Sequence, residues 1–243
     1  VVNDDAGAQT PAAGIFTAVG IALASLTLTP LLAYLPQATL AATIILAVLS
    51  LIDLAAIRRV FAYSPLDFCS LAVTLAATLL IGVEVAIIAG VALSLLLYVW
   101  RTSRPHIAVL GQVPGTEHFR NILRHDVLTD PRILSIRIDA SLYFANARFL
   151  EQNIARQTAG AAQLRHVILL CTAINDIDAS GLDSLERISE RLKEAGICFH
   201  LSEVKGPVMD KLMRSDFPER LNGRVFFRHC EAVDALSCKT KSS

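Results

Sequence analysis

The feature that most constrains this chain is a run of 47 residues, Ala6–Ile52, that contains no charged side chain. A hydrocarbon layer about 30 Å thick is crossed by about 20 apolar helical residues, so this run has room for two membrane spans. A second apolar run, Phe68–Trp100, carries a single charge, on Glu84. Residues 1–105 are therefore predicted to form a membrane region.

Four spans are predicted within that region. Pro30 and Pro36 divide the first run, and a turn near Gly82 divides the second, which places the spans at residues 12–34, 38–56, 66–82 and 84–101. Arginines follow the second and the fourth spans, and basic residues favour the cytoplasmic side of a membrane. These are Arg58, Arg59, Arg101 and Arg104. We expect a multi-pass protein of the cytoplasmic (inner) membrane.

The rest of the chain has the composition of a soluble domain. Of the 44 charged residues, 35 lie in residues 106–243. Alternating strand and helix patterns there predict a small α/β domain over 106–238, followed by a polar tail at 239–243. The predicted fold class is thus multi-domain, with all-α transmembrane helices followed by a cytoplasmic α/β domain. Acidic and basic residues balance at 22 each and are interleaved, which gives no support for a nucleic-acid partner.

Motifs of catalysis are missing from the sequence. It contains no GxGxxG, GxxxxGK[ST], HExxH or GxSxG pattern. Its five cysteines form no CxxC pair, and no two of its six histidines have a helical ligand spacing. We expect surface or hydrogen-bonded histidines, no enzyme activity, no catalytic residue, no metal and no cofactor.

Two features of the spans admit a role beyond anchoring. Glu84 is an acid within an apolar run, which is typical of an ion pathway. It also lies in the first turn of the predicted fourth helix, where the helix dipole favours a negative charge. Both interpretations stay open. Small residues recur every four positions along the same helix, which predicts close packing against another helix; they are Gly82, Ala86, Gly90 and Ser94.

The α/β half contains one loop of interest, at residues 175–182, where a central strand gives way to a helix. Backbone N–H groups at a helix start favour an anion or a phosphorylated side chain. Alternatively, Asp178 and Ser180 shape the turn and cap the helix. Ser180 and Asp183 resemble a capping pair, and Gly196 is placed to end the same helix.

Several short stretches, taken together, carry a family resemblance. They are Asn3-Asp4 with Ala6-Gly7 and Thr10-Pro11; Leu35-Pro36 with residues 38–42; residues 82–86 with Gly90-Val91; residues 103–106 with 109–111 and 114–116; and residues 137–139 with 142–147. In this combination the chain resembles the C-terminal part of SulP anion transporters, the group that includes sulfate permeases. Its second half resembles a STAS domain, named for sulfate transporters and anti-sigma-factor antagonists.

The resemblance implies a secondary active transporter with fourteen membrane segments in two inverted repeats of seven. The chain begins with Val1, and we expect it to hold the last four full segments and the tail of the one before. The implied substrate is an inorganic anion, sulfate first, with bicarbonate or a dicarboxylate as alternatives and H⁺ or Na⁺ as the coupling ion. The anion-contacting half-helix start would lie upstream, which leaves Val1, Val2 and Asn3 as the near edge of the substrate site.

The resemblance also implies a homodimer and a STAS domain that supports assembly or regulation. In anti-sigma-factor antagonists the phosphate-accepting hydroxyl directly follows the Asp of the 175–182 loop, whereas Ala179 stands at that position here. The sequence therefore argues against phosphorylation switching, although Asp178 and Ser180 could still frame a contact surface. The alternative function is a membrane-tethered STAS module that binds a protein partner and transports nothing.

Overall fold

The computed structural model describes residues 10, 12–32, 36–50 and 53–238. The chain forms two compact units, residues 1–69 and 70–243. Two sequence predictions lie outside the described residues: the near edge of the substrate site at Val1, Val2 and Asn3, and the polar tail at 239–243.

Five helices precede the sheet. They are α1 (Ala12–Leu32), α2 (Gln37–Ser50), α3 (Leu54–Tyr63), α4 (Pro65–Leu80) and α5 (Val83–Thr102). Among the described residues, α5 alone is long and apolar enough to cross a bilayer, judged by length and composition. Shorter apolar helical segments lie at Ala12–Thr27, Gln37–Leu46 and Pro65–Leu80. The crossing of a membrane by all four predicted spans stays a prediction.

The stretch predicted as one span, 38–56, is not one helix. Helix α2 ends at Ser50, and α3 begins at Leu54 with Asp53 as its N-cap. The Asp53 carboxylate accepts hydrogen bonds from the backbone N–H groups of Ala55 and Ala56, each at 2.9 Å. These bonds satisfy N–H groups that have no partner within the helix, and they favour a new helix at this position.

Helices α4 and α5 form a hairpin, and the small-residue face of α5 packs against α4 as predicted. The turn passes through Gly82, whose φ of 125° is a conformation that other residues rarely adopt. Ala86 and Gly90 are buried. A Cβ built on Gly90 would lie 2.5 Å from Oγ1 of Thr74, and the Ser70 and Ser94 hydroxyls are hydrogen-bonded at 3.0 Å. Small side chains and paired hydroxyls thus bring the two helices together.

We predict that Gly90→Ala lowers the thermal stability of the detergent-solubilised protein, because the new methyl group overlaps Thr74. Overpacking of this kind costs about 1–3 kcal/mol. The double variant T74A/G90A should recover most of the loss, since the overlapping hydroxyl is then gone. The matched control is Gly20→Ala on α1, where a Cβ meets nothing within 4 Å. Equal melting temperatures for G90A and G20A would contradict the prediction.

The α/β part contains a six-stranded mixed sheet in the order β2-β1-β3-β4-β5-β6. Strand β1 is antiparallel to β2 and β3, and β3 to β6 run parallel to one another. The strands are β1 (Ile107–Gln112), β2 (Phe119–Asn121), β3 (Ile133–Ile138), β4 (His166–Leu170), β5 (Cys198–Ser202) and β6 (Val225–Phe226). The helices are α6 (Ala147–Thr158), α7 (Ala179–Glu194), α8 (Gly206–Leu212), α9 (Phe217–Arg220) and α10 (His229–Cys238).

The two faces of this sheet are covered unequally. One face carries the main core, in which side chains from β3, β4 and β5 pack against α6 and α7, among them Ile136, Leu169, Leu150 and Leu185. The other face carries two small clusters. Ala108, Leu110 and Leu170 form one with Phe119, and Ile168 forms the other with Ala232 and Leu236 of α10. The less covered face leaves room for a cavity at the strand ends.

Candidate functional site

Asp178 joins two segments of the α/β part at the start of α7. One carboxylate oxygen accepts a hydrogen bond from the backbone N–H of Gly181 at 2.7 Å, which caps α7. The other oxygen accepts from the backbone N–H of Phe144 at 2.9 Å. Leu142 and Ile177 are paired in a parallel bridge beside it. Asp178 therefore fixes the loop after β3 against the loop after β4.

The capping assignment made from sequence is wrong in one respect. Asp178 and Ser180 were both candidate caps of α7, and Ser180 was paired with Asp183. Asp178 is the N-cap, which confirms that part of the prediction, but Ser180 lies inside the first turn. An Asp accepts hydrogen bonds as an anion, and these are stronger than those of a neutral hydroxyl. The prediction that Gly196 ends the helix is confirmed, because Ala195 is the C-cap and Gly196 has a φ of 71°.

Gly181 allows the two loops to approach closely. A Cβ built on this residue would lie 2.9 Å from the carbonyl oxygen of Leu142 and 3.0 Å from its Cβ. The carbonyl belongs to the backbone and cannot rotate away as a side chain can. Any residue larger than glycine at position 181 would push the Leu142 segment away from α7.

We predict that Gly181→Ala destabilises the protein, although alanine is the better helix former by about 1 kcal/mol. The clash with Leu142 should outweigh that gain and lower the melting temperature. Gly206→Ala is the matched control at a helix start, since a Cβ there meets nothing within 4 Å. Thermal unfolding of the two variants measures the difference, and a G181A protein as stable as G206A would contradict the prediction.

Charged and apolar side chains surround the 175–182 loop at the surface. Nζ of Lys211 lies 2.6 Å from a carboxylate oxygen of Asp176, and this hydrogen bond holds the pKa of Asp176 below its usual value. Nζ of Lys205 contacts Asn175. Phe144 is 69% exposed next to the Asp178 contact. Ala179 of the same loop is exposed. The arrangement can form a contact surface for another protein segment.

A second site lies at the carboxyl ends of the parallel strands, on the less covered face. It is a cavity of about 410 Å³ whose lining includes Arg137, Asp139, Glu203 and His229. Asp139 accepts a hydrogen bond from Nε of Arg137 at 2.6 Å and lies 2.9 Å from Nδ1 of His106. Burial raises the pKa of Asp139, but the contacts with Arg137 and His106 outweigh it and the net shift is downward. No motif in the sequence indicates this site, although charged residues at the ends of predicted strands are a signal for it.

Two histidines are buried on the same face. Nδ1 of His229 lies 2.7 Å from the Ser202 hydroxyl, and its Nε2 lies 3.1 Å from the Ser135 hydroxyl. Nδ1 of His200 accepts a hydrogen bond from the backbone N–H of Arg224 at 3.0 Å. These contacts agree with the expectation of hydrogen-bonded histidines. Burial lowers the pKa of each ring to about 4, and for His200 the charges of His166 and Arg224 add to this effect.

Strand register also brings together three residues that could hold a metal ion. The ligand atoms of His166, Cys198 and His200 all lie within 4.8 Å of one another. No sequence spacing indicated this group, because His166 pairs with Cys198 across neighbouring strands. Nδ1 of His200 is occupied by the Arg224 N–H, so the proton of the neutral ring lies on Nε2, 3.2 Å from Nδ1 of His166. A protonated nitrogen offers no lone pair, and in this arrangement His200 is not a ligand.

We predict that the protein loses stability as the pH falls from about 6.5 towards 4.5. Above the unfolded-state pKa of about 6.5, both buried rings are neutral in either state and their contribution is fully present. At lower pH the unfolded chain takes up protons that His200 and His229, with folded pKa values of about 4, do not accept. Melting curves between pH 7.5 and 4.5 measure this slope.

The His229→Gln variant should melt at a lower temperature throughout but with a shallower dependence on pH. His125→Gln is the control, because His125 is exposed and its removal should leave the slope unchanged. Parallel pH profiles for H229Q and the unsubstituted protein would contradict the prediction, because they would show that the pKa of His229 is the same in the folded and the unfolded state.

Glu84 lies in the first turn of α5, two residues after the N-cap Gly82, and its side chain is exposed. Arg101 lies in the last turn of the same helix. The negative charge of Glu84 at the amino end and the positive charge of Arg101 at the carboxyl end both interact favourably with the helix dipole. This position agrees with the second interpretation of Glu84. Its part in an ion pathway stays a prediction.

Comparison with known proteins gives two matches to family models. Residues 1–74 match the sulfate permease family, and residues 124–232 match the STAS domain. The two matches are consistent with a fragment of a SulP family protein that carries a STAS domain. The order of the two matches is the order predicted from the residues, with the STAS match inside the 106–238 segment.

Curated relatives match nearly the whole chain. Sulfate transporter 1.3 of Arabidopsis thaliana is 32% identical over 249 residues, which cover 98% of this chain and 38% of the relative. Sulfate transporter 3.1 of the same plant is 33% identical over 97% of this chain and 38% of its own length. High affinity sulfate transporter 2 of Stylosanthes hamata is 29% identical over 98% of this chain. The chain spans about 38% of the length of these relatives.

Among solved structures, the fold is similar to that of the murine solute carrier 26 family member A9 anion transporter in its inward-facing state. The TM-score is 0.78 at 22% identity, over 96% of this chain and 39% of that one. A helical region followed by a STAS domain is therefore the fold of this chain, as the sequence predicted.

Proposed function

We propose that this chain forms the carboxyl-terminal part of a secondary active transporter that moves an inorganic anion, sulfate first, across the cytoplasmic membrane. The observation that carries the proposal is the match of 97–98% of the chain to relatives named as sulfate transporters. The apolar helices ahead of the sheet support a multi-pass membrane arrangement. The arginines after the predicted second and fourth spans support a cytoplasmic STAS domain.

The finer points of this proposal concern partners. The coupling ion is H⁺ or Na⁺, and the transporter is a homodimer. The relatives are transporters, and we propose no enzyme activity for this chain. Val1, Val2 and Asn3 remain the proposed near edge of the substrate site, with most of that site contributed by residues upstream.

A second candidate function is a membrane-tethered STAS module that binds a protein partner without transport. It is supported by the α/β part, which has its own six-stranded sheet and core, and by the exposed loop around Asp178. Asp176, Lys211 and the exposed ring of Phe144 would form part of that contact surface, with Asp178 and Ser180 at its centre.

Uptake of radiolabelled sulfate tests the first function. Vesicles containing the protein, expressed with any sequence that its gene encodes upstream of Val1, should accumulate sulfate above empty vesicles under an inward H⁺ or Na⁺ gradient. Bicarbonate and a dicarboxylate are assayed in parallel. Accumulation of bicarbonate or of the dicarboxylate without sulfate would support anion transport with that anion, and not sulfate, as the substrate. No uptake of any anion under either gradient would favour the tethered module.

Glu84→Gln separates the two interpretations of Glu84 in the same vesicles. We expect uptake to persist, because the carboxylate lies at a helix start where the dipole accounts for it. The melting temperature should fall slightly, since such a charge contributes about 0.3–1 kcal/mol. Loss of uptake at unchanged protein amount and melting temperature would instead assign Glu84 to the ion pathway.

A further inference from the structure

Helix α3 has two chemically distinct sides. At about 100° per residue, Leu54, Ile57 and Phe61 fall on one side, spaced three and four residues apart. Arg59 falls on the other side, Arg58 lies beside Leu54 at the border between the two sides, and both arginines are exposed. A helix with apolar residues on one side and basic residues on the other is typical of the surface layer of a membrane.

The length of α3 excludes a membrane-crossing role. Its ten residues extend about 15 Å at 1.5 Å per residue, half of a hydrocarbon layer about 30 Å thick. It lies between two apolar helices, α2 and α4, that end and begin within a few residues of it. If those helices enter the membrane, α3 is held at its surface.

The arginines of α3 are available to a ligand. In the part of the chain that the structure describes, neither Arg58 nor Arg59 takes part in an ion pair. The nearest acid along the chain, Asp53, is engaged as the N-cap of the helix. Two adjacent guanidinium groups offer hydrogen-bond donors in the planar geometry that phosphate oxygens accept.

The apolar side is only partly covered. The rings of Phe61 and Phe68 meet edge to face at 4.9 Å between centroids, which fixes the end of α3 against the start of α4. Even so, 58% of Phe61 and 66% of Leu54 stay exposed. A soluble anion on the arginines would leave this apolar side in water, whereas a phospholipid offers a phosphate to one side and acyl chains to the other.

We propose that α3 lies in the cytoplasmic headgroup layer and that Arg58 and Arg59 bind the phosphates of anionic phospholipids. This inference rests on the proposed membrane placement of α2 and α4, and it does not depend on which anion is transported. It gives α3 a binding role that is separate from the STAS domain and from the substrate site.

The test is lipid retention by the purified protein in native mass spectrometry, with phosphatidylglycerol and phosphatidylcholine supplied in equal amounts. The unsubstituted protein should retain phosphatidylglycerol preferentially. The R58Q/R59Q variant should bind phosphatidylglycerol about 25-fold more weakly, because each arginine near an anionic surface contributes a factor of about five. The matched control R124Q/R148Q removes two exposed arginines of the α/β part and should keep the preference.

Two results would overturn the proposal. One is equal retention of phosphatidylglycerol by R58Q/R59Q and by the unsubstituted protein. The other is displacement of the lipid by inorganic phosphate, which would indicate a soluble-anion site.

If R58Q/R59Q fails to fold, a second experiment decides, with spin labels at Ala55 and Phe61 of the protein in phosphatidylglycerol vesicles. The label at 61 should be accessible to oxygen and the label at 55 to an aqueous nickel chelate. Two water-accessible labels would reject the surface placement. Sulfate uptake is measured separately, so its failure would leave this result standing.

Discussion

The parallel register of β3, β4 and β5 is the constraint on which the candidate sites of the α/β part depend. Because the strands start together, His166 and Cys198 lie side by side at their amino ends. Because they also end together, Arg137 and Glu203 reach the same cavity at their carboxyl ends. The loops that follow β3 and β4 consequently leave the sheet next to each other, and Asp178 is able to bond to both.

Two glycines allow close packing in this protein, one between the loops that follow β3 and β4 and the other in the α4–α5 hairpin. Gly181 brings α7 against the Leu142 carbonyl, and Gly90 brings α5 against Thr74. In each case the helix contacts its neighbour where a side chain is missing. The difference is in what the missing side chain would meet: a rigid carbonyl in the first case and a rotatable hydroxyl in the second. Substitution should therefore be more costly at position 181 than at position 90.

The sequence was sufficient for the parts of the fold that depend on periodicity. The sequence predicted a central strand before the 175–182 loop and a helix after it that ends at Gly196, and the structure has β4 and α7 at these places. It was insufficient where one side chain decides the outcome. Asp53 starts α3 inside a stretch that apolar composition assigned to a span, and of the two candidate caps Asp178 and Ser180 only Asp178 takes the N-cap position of α7. The three-residue strand β2 is too short for any periodic signal.

The candidate sites were less predictable than the fold because they depend on long-range pairing. No spacing along the chain relates His166 to Cys198 or Asp139 to His106; each pair meets only through the sheet. The contact between Asp139 and His106 lies where the α4–α5 hairpin joins the sheet. After α5 ends at Thr102, four residues lead to β1, where Arg104 lies over the ring of Trp100 at 5.8 Å and His106 is bonded to Asp139. The connection is short, and β1 pairs in turn with Arg137, which lines the cavity, so the sheet register places the end of the hairpin and the rim of the cavity on neighbouring strands.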